Sequence, residues 1–483
     1  MTDSASASAT PVKGINWKQG LLIAMGVPIL IVPSLADLSL TLWAMSIAIW
    51  VISVVSGFFL NLTLGEMCAT FGTAGMGGSI QYVFQNDEKY RSSKINKGRL
   101  IGAIGAWDYF TAWTPVIPIF TIMTAEYIIN YVSLSIDDMT KMAMYLVLGA
   151  AIYGFIIITA RKGLESGAKV QTIFTVVTIV PIVVIVLSPL FLGHFHPEHI
   201  TNELTPAGWK WDANGILMVF GCLAVAQWSA CGWETAAAHG AKYENPATDV
   251  PKALMACGLA CLALYALISV CMYGTLGQAQ IADAGAATLV PIAKTCFGEY
   301  GGLIAVILLI VGMVMIIQTA FLGAASTLQA MAEEGNMPAC FTKTNSYGVP
   351  MNSLYFEAAI GFGLIILGVT ASQMLAVCSV GYAITHCMVQ LAFVKSRHYR
   401  RFKDLESPYK VGKFLYIMSF VMIGFDLLLV AGLLYYLNHE MGIIYCAMGI
   451  IFTLLYIPIW YAIQVSNHKN HPEIVCGLNY DLK

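Results

Sequence analysis

The stretch Gly215 to Ala253, GILMVFGCLAVAQWSACGWETAAAHGAKYENPATDVPKA, holds the residues best suited to chemistry. It opens as an apolar run of membrane-spanning type. Ser229, Cys231, Gly232 and Glu234 then interrupt it, with Trp228 and Trp233 on either side of the break. A mid-helix acid costs roughly 2.5–3.5 kcal/mol even on lenient insertion scales, so such a residue faces protein or a water-filled cavity. Irregular backbone at membrane depth survives under the same condition, and it marks the solute site of many secondary transporters. Glu234 can bind an amine, carry a proton, or accept hydrogen bonds from the interrupted backbone. The two tryptophans can stack on a cationic solute, worth on the order of 0.5–2 kcal/mol, or simply pack.

The first apolar run is also interrupted, at Gly26-Val27-Pro28, with Ile29 following. Proline removes a backbone donor and its ring clashes with the preceding turn. N–H groups freed at a half-helix start favour an anion such as a carboxylate; freed carbonyls favour a cation. Taken alone, Pro28 reads equally well as a simple kink. Paired with the second break, it reads as half of a site. The candidate substrate-binding set is therefore Gly26, Val27, Pro28 and Ile29 with Trp228, Ser229, Cys231, Gly232 and Trp233. Glu234, Glu126 and His386 are the candidates for proton transfer or gating. A plain polar contact for Glu126 and a hydrogen-bonded interior position for His386 are the blander readings. Glu66 and Asp108 suit structural or gating contacts. His194, His196 and His199, in the loop HFHPEHI, read as an ordinary loop rather than a metal site.

These residues need elements that hold them. The chain has 483 residues, 58% hydrophobic and 11% charged, with a mean hydropathy of +0.73. Soluble domains carry about 25% charged residues. An all-α membrane protein is expected, with twelve spans near 17–38, 41–69, 101–133, 141–160, 166–192, 215–240, 252–276, 301–334, 350–369, 371–395, 412–437 and 441–465. With both termini cytoplasmic, only Lys141, Lys210 and Lys294 fall outside. That leaves 22 of the 25 basic residues (25 − 3) inside, as the positive-inside rule demands. The expected organisation is a disordered cytoplasmic tail over 1–15, a transporter domain over 16–465 and a cytoplasmic tail over 466–483. Five spans separate the two breaks, which suggests an inverted repeat of about 17–192 and 215–395, with helices eleven and twelve (412–465) outside it. Gly72 to Asn86 reads as an interfacial segment, and Gly277 to Tyr300 as a short re-entrant or surface helix.

Several classes are excluded. The twelve cysteines show no disulfide or zinc spacing. There is no G-x-x-x-x-G-K-[ST] loop and no H-E-x-x-H motif, and no coherent acid, base and nucleophile set, so no enzyme, cofactor or metal is expected. The expected partners are a small-molecule substrate (an amino acid or amine) and the lipid bilayer, not nucleic acid. The protein is expected as a monomer or homodimer in the cell membrane.

Gly232-Trp233-Glu234 followed by Asn245-Pro246-Ala247-Thr248-Asp249-Val250-Pro251-Lys252-Ala253 resembles the sixth span and loop of the amino acid–polyamine–organocation superfamily. Gly65-Glu66-Met67 with Gly77-Gly78-Ser79-Ile80-Gln81-Tyr82, Ala330 to Pro338, and Gly348-Val349-Pro350 agree in order. The resemblance covers roughly residues 17 to 465 and is nearest to the glutamate/GABA antiporter branch. It implies a LeuT-type five-plus-five inverted repeat with discontinuous helices 1 and 6, alternating access, and exchange of an amino acid for a related amino acid or its decarboxylated amine. Proton-coupled symport is the alternative, and a transporter-like nutrient sensor a remote one, since sensors usually add a long soluble extension. Three positions depart from the family pattern. Pro28 replaces a glycine that would offer an N–H to a carboxylate. Thr178 stands where proton-coupled members carry a lysine, which favours exchange. Ser326 replaces an arginine.

Overall fold

In hydrocarbon a backbone must satisfy its own N–H and C=O groups, and a helix does so within one segment. The computed structural model answers in that way. It describes residues 15–25, 31–73, 75–87, 95–132, 134–161, 179–398 and 405–471, with positions 89, 474, 477 and 478. Among these residues the protein is all-helical, with only two isolated β-bridges. Residues 1–14 of the expected tail over 1–15, the first-break residues Gly26, Val27, Pro28 and Ile29, and Thr178 lie outside the described residues.

The helices are α1 Trp17–Ala24, α2 Val32–Leu42, α3 Ser46–Phe71, α4 Gly75–Gln85, α5 Lys97–Trp113, α6 Val116–Val132 and α7 Asp138–Ala160. Next come α8 Ile179–Leu192, α9 Pro197–Asn202, α10 Ala213–Ala230, α11 Pro246–Ala284, α12 Leu289–Glu333 and α13 Met351–Ile366. The chain closes with α14 Ala371–His398, α15 Lys413–Glu440 and α16 Ile443–Asn470. Nine helical stretches among the described residues are long and apolar enough to cross a membrane, and Ile179–Leu192 and Met351–Ile366 are shorter apolar helices. This is a multi-pass architecture.

Helix ends are set by local chemistry. Asn16 accepts from the N–H groups of Lys18 and Gln19 at 3.0 and 3.1 Å, while Gln19 accepts from Asn16 N at 2.9 Å, a reciprocal cap. Asn96 caps α5 through Arg99 N at 3.0 Å, and Asp212 caps α10 through Gly215 N at 3.0 Å. Asp137 precedes α7 and accepts from Thr140 Oγ1, which holds its carboxyl below the ordinary value. Gly277 (φ 65°) and Gly298 (φ 70°) bend α11 and α12, so 278–297 forms a pair of short helices where the sequence suggested one.

Small residues let the helices approach closely, as membrane packing requires. A Cβ on Gly221 of α10 would lie 2.6 Å from Gly432 O of α15. The Gly72 to Asn86 segment holds a short helix, α4. This helix is mostly buried against α5. The packing is close, since a Cβ on Gly102 of α5 would lie 3.0 Å from Gln81 Cα of α4.

Candidate functional site

The second break is built one hydrogen bond at a time. Cys231 N donates to Gln227 O at 3.0 Å and closes the α-helical part of α10. Residues Gly232–Lys242 continue as a 3₁₀ helix, with Glu234 N donating to Cys231 O at 3.1 Å. Runs of 3₁₀ beyond three or four residues are uncommon and often mark a functional hinge. Side chains from elsewhere satisfy the loosened carbonyls: Tyr265 OH donates to Ser229 O at 2.7 Å and Asn61 Nδ2 to Cys231 O at 3.3 Å. Cys231 Sγ donates to Ser53 O at 3.5 Å.

The start of α1 is pinned to the far end of this break. Ile15 bridges Tyr243, Glu244 N donates to Ile15 O at 2.9 Å, and Tyr243 OH donates to Ala236 O at 3.1 Å. The chain leading into α1 and the chain leaving the 3₁₀ segment are therefore neighbours. α1 itself ends at Ala24 and the next helix starts at Val32.

Glu234 is fully buried. Tyr109 OH donates to its Oε1 at 3.3 Å, and Oε2 has no hydrogen-bond partner among the described residues. Trp113 of α5 and Tyr382 of α14 turn Nε1 and OH towards it, although neither atom closes a hydrogen bond among the described residues. The ring of His386 lies 4.3 Å from that of Tyr382. Both His386 nitrogens and both amide atoms of Gln390 are buried and without partners among the described residues. Tyr382, His386 and Gln390 are four residues apart, so they share one face of α14. Glu234 and His386, separate in sequence, are thus joined through Tyr382.

The tryptophans sit differently from each other. Trp228 Nε1 donates to Ala112 O at 3.0 Å, which ties α10 to α5. Trp233 is wedged between α3 and α11. Its ring meets Phe58 edge-on at 5.2 Å, and a Cβ on Gly258 would lie 3.0 Å from it. Ser229 Oγ donates back to Ala226 O at 3.1 Å. Among the described residues, no contact ties Glu126 to this group; it accepts from Tyr145 OH on the neighbouring α7.

Other polar residues hold the periphery. Arg397 Nη2 pairs with Glu66 at 2.6 Å and Lys395 with Asp87 at 2.9 Å, fastening α14 to α3 and to the end of α4. Asp108 accepts from Thr453 at 2.8 Å. Ser326 donates within its own helix to Leu322 O at 2.7 Å. At one end of the bundle a cavity of about 460 Å³ is lined by Tyr127, Tyr131, Asp283 and Lys294. Towards the other, a cavity of about 500 Å³ is lined by Glu66, Arg397, His398 and Lys410. His196 pairs with Glu198 at 3.3 Å. The carboxyl of Glu198 is held below its ordinary value, first by its own backbone N–H and then by the histidine. No three metal-ligating side chains converge among the described residues.

Reading the sequence did not single out Tyr109, Trp113, Tyr382, Gln390, Asn61 or Tyr265. Each is an ordinary residue in an apolar helix, and only packing makes it part of the site. Glu357 and Asp426 were missed too, although an acid alone in an apolar run is a visible signal.

Comparison with known proteins fits this geometry. The chain is 27% identical over 279 residues to the arginine/ornithine antiporter ArcD2 of Lactococcus lactis subsp. cremoris, covering 53% of this chain and 55% of that one. It is 25% identical over 367 residues to an uncharacterized amino acid permease, YecA, of Bacillus subtilis, covering 73% and 77%. It is 21% identical over 382 residues to the glutamate/serine transporter AimA of Bacillus subtilis, covering 75% and 66%. The match to the arginine/ornithine antiporters spans about half the length of those relatives. A family model described as amino acid permease matches residues 15–465, from the strand-like residue before α1 into the last helix, so the chain belongs to the amino acid permease family, within the amino acid–polyamine–organocation superfamily.

Proposed function

We propose that this chain is a secondary transporter that exchanges an amino acid for a related amino acid or its decarboxylated amine by alternating access. The observation that carries the reading is the break at Cys231. There a buried carboxylate, Glu234, keeps one oxygen without a partner among the described residues, beside the likewise unpartnered Trp113 Nε1 and Tyr382 OH. Buried polar groups are normally paired; these three face one another without closing a hydrogen bond among the described residues, which fits a ligand that completes the set. A single carboxylate among aromatic rings suits a positively charged amine. The names of three relatives, arginine/ornithine antiporters, point to the same chemistry.

The rest of the reading follows. Twelve spans form two inverted five-helix units, both termini are cytoplasmic, and the protein resides in the cell membrane. The substrate lies between the interruption at Gly26, Val27, Pro28 and Ile29 and the stretch Trp228 to Trp233. In liposomes, labelled substrate should enter only when counter-substrate is trapped inside; equal uptake into empty vesicles would reject exchange. Proton-coupled symport is the second reading, favoured by His386, whose two nitrogens are open beside Tyr382. In that case an imposed proton gradient drives accumulation in empty vesicles.

A further inference from the structure

Away from helix starts, five buried acids lie within the apolar helices among the described residues: Glu66, Asp108, Glu234, Glu357 and Asp426. Four have a hydrogen-bond donor. Glu66 accepts from Arg397 and from Val411 N at 2.6 and 2.7 Å. Asp108 accepts from Thr453 at 2.8 Å, Glu234 from Tyr109 at 3.3 Å and Glu357 from Thr114 at 3.4 Å.

Asp426 stands apart. It is 1% exposed, and neither carboxyl oxygen has a hydrogen-bond partner among the described residues. It lies midway along the 28-residue α15. Gln227 of α10 is the polar side chain turned towards it, and Gln227 Nε2 in turn donates to Ser56 of α3 at 3.4 Å. Among the described residues, Cys231 of α10 and Cys387 of α14 are titratable groups near it. α16, which also packs on α15, brings no charged side chain to it among the described residues.

An ionised carboxylate cannot stay there. Burying a charge with no counter-ion, and with the Gln227 amide as the one donor turned towards it among the described residues, costs several kcal/mol or more, and the group neutralises instead. A metal ion does not suit the place, because hard cations gather several oxygen ligands and, among the described residues, Gln227 is the amide turned towards it. The remaining neutralising partner is a proton. The neighbours also matter, since Gln227 lies one turn before Cys231, where α10 gives way to the 3₁₀ segment. Any movement of the broken helix changes the packing over Asp426.

We propose that Asp426 is a proton-binding site on α15, loaded while α10 is packed against it and exchanging with water when α10 moves away. On loading, the carboxylate takes a proton from hydronium and releases water; on unloading, the carboxylic acid returns the proton to water. The role as a coupling site rests on the transport reading above, in which a proton then accompanies the exchange cycle.

The test uses the full chain in membranes, as wild type, Asp426→Asn and Asp426→Leu. Infrared difference spectra between acid and alkaline buffer should show a protonated-carboxyl carbonyl band in the wild type that both variants lack. Counterflow in liposomes between about pH 5 and 8 should change by about tenfold or more in the wild type, the factor one proton produces per pH unit. In Asp426→Asn that response should flatten to less than about twofold. An unchanged infrared band together with an unchanged pH profile in Asp426→Asn overturns the proposal while leaving exchange intact. So does a response of the wild type to sodium that Asp426→Asn abolishes. Absence of all transport in the wild type rejects the transport reading, and the infrared arm still decides Asp426. Failure of both variants to fold assigns the residue to packing and overturns the proposal.

Discussion

Two buried polar regions of this molecule are built on opposite plans. One is the knot around Asn336, just beyond α12. Trp460 Nε1 donates to Asn336 Oδ1 at 3.0 Å, Asn336 Nδ2 donates to Gln81 at 2.7 Å, and Tyr456 OH donates to Asn336 O at 2.7 Å. Gln464 and Asn467 close over Gly335 O at 2.7 and 3.2 Å. The knot ties α4, α12 and α16, and its polar side chains are paired. The other region lies where the broken α10 meets α14 and α15. Glu234, Tyr382, His386, Gln390 and Asp426 all hold atoms without partners among the described residues. A paired network rigidifies, whereas an open one is costly unless something else completes it. The first plan suits a fastening and the second a place where solutes, water or protons come and go.

The sharpest way to break this comparison is Asn336→Ala. It leaves Trp460 Nε1 and the Gln81 carbonyl buried and unsatisfied, at about 1–3 kcal/mol each, so thermal stability in detergent should fall markedly. A melting point equal to wild type would show that the knot is not a fastening. Arg397→Ala should cost less, about 1–3 kcal/mol, because the pair it forms with Glu66 is partly exposed. Its effect should appear as easier opening of α14 from α3, read by faster labelling of Cys68, which is buried on α3. Unaltered labelling would demote the pair to surface decoration.

On the open side the signs should differ. Gln390→Leu removes two unpartnered amide atoms and should be neutral or stabilising by about 1 kcal/mol; clear destabilisation would mean that Gln390 is a structural residue like Asn336. Smallest in stability and largest in function is Glu234→Gln. The melting point should move by less than about 1 kcal/mol equivalent, while exchange or its pH dependence changes. Wild-type transport by that variant across pH would place Glu234 with the structural acids.

Much of this was legible in the chain itself. Runs of apolar residues longer than a bilayer is thick can only be helices, so the all-helical, membrane-spanning class and the family follow from residues such as Gly232 to Ala253 read in order. The break after Ala230 is local too. Cys231, Gly232 and Glu234 announce it because backbone regularity depends on near neighbours. Legibility ended where side chains from distant segments meet. Nothing in the spacing of Tyr109, Trp113 and Tyr382 says that they surround Glu234. Trp228 and Trp233 look interchangeable in sequence, yet one hydrogen-bonds α5 and the other fills the space between α3 and α11. The burial of α4 and the isolation of Asp426 arose only from tertiary packing. Hydropathy measures what a residue costs in lipid, but only the assembled helices decide which atoms it has for company.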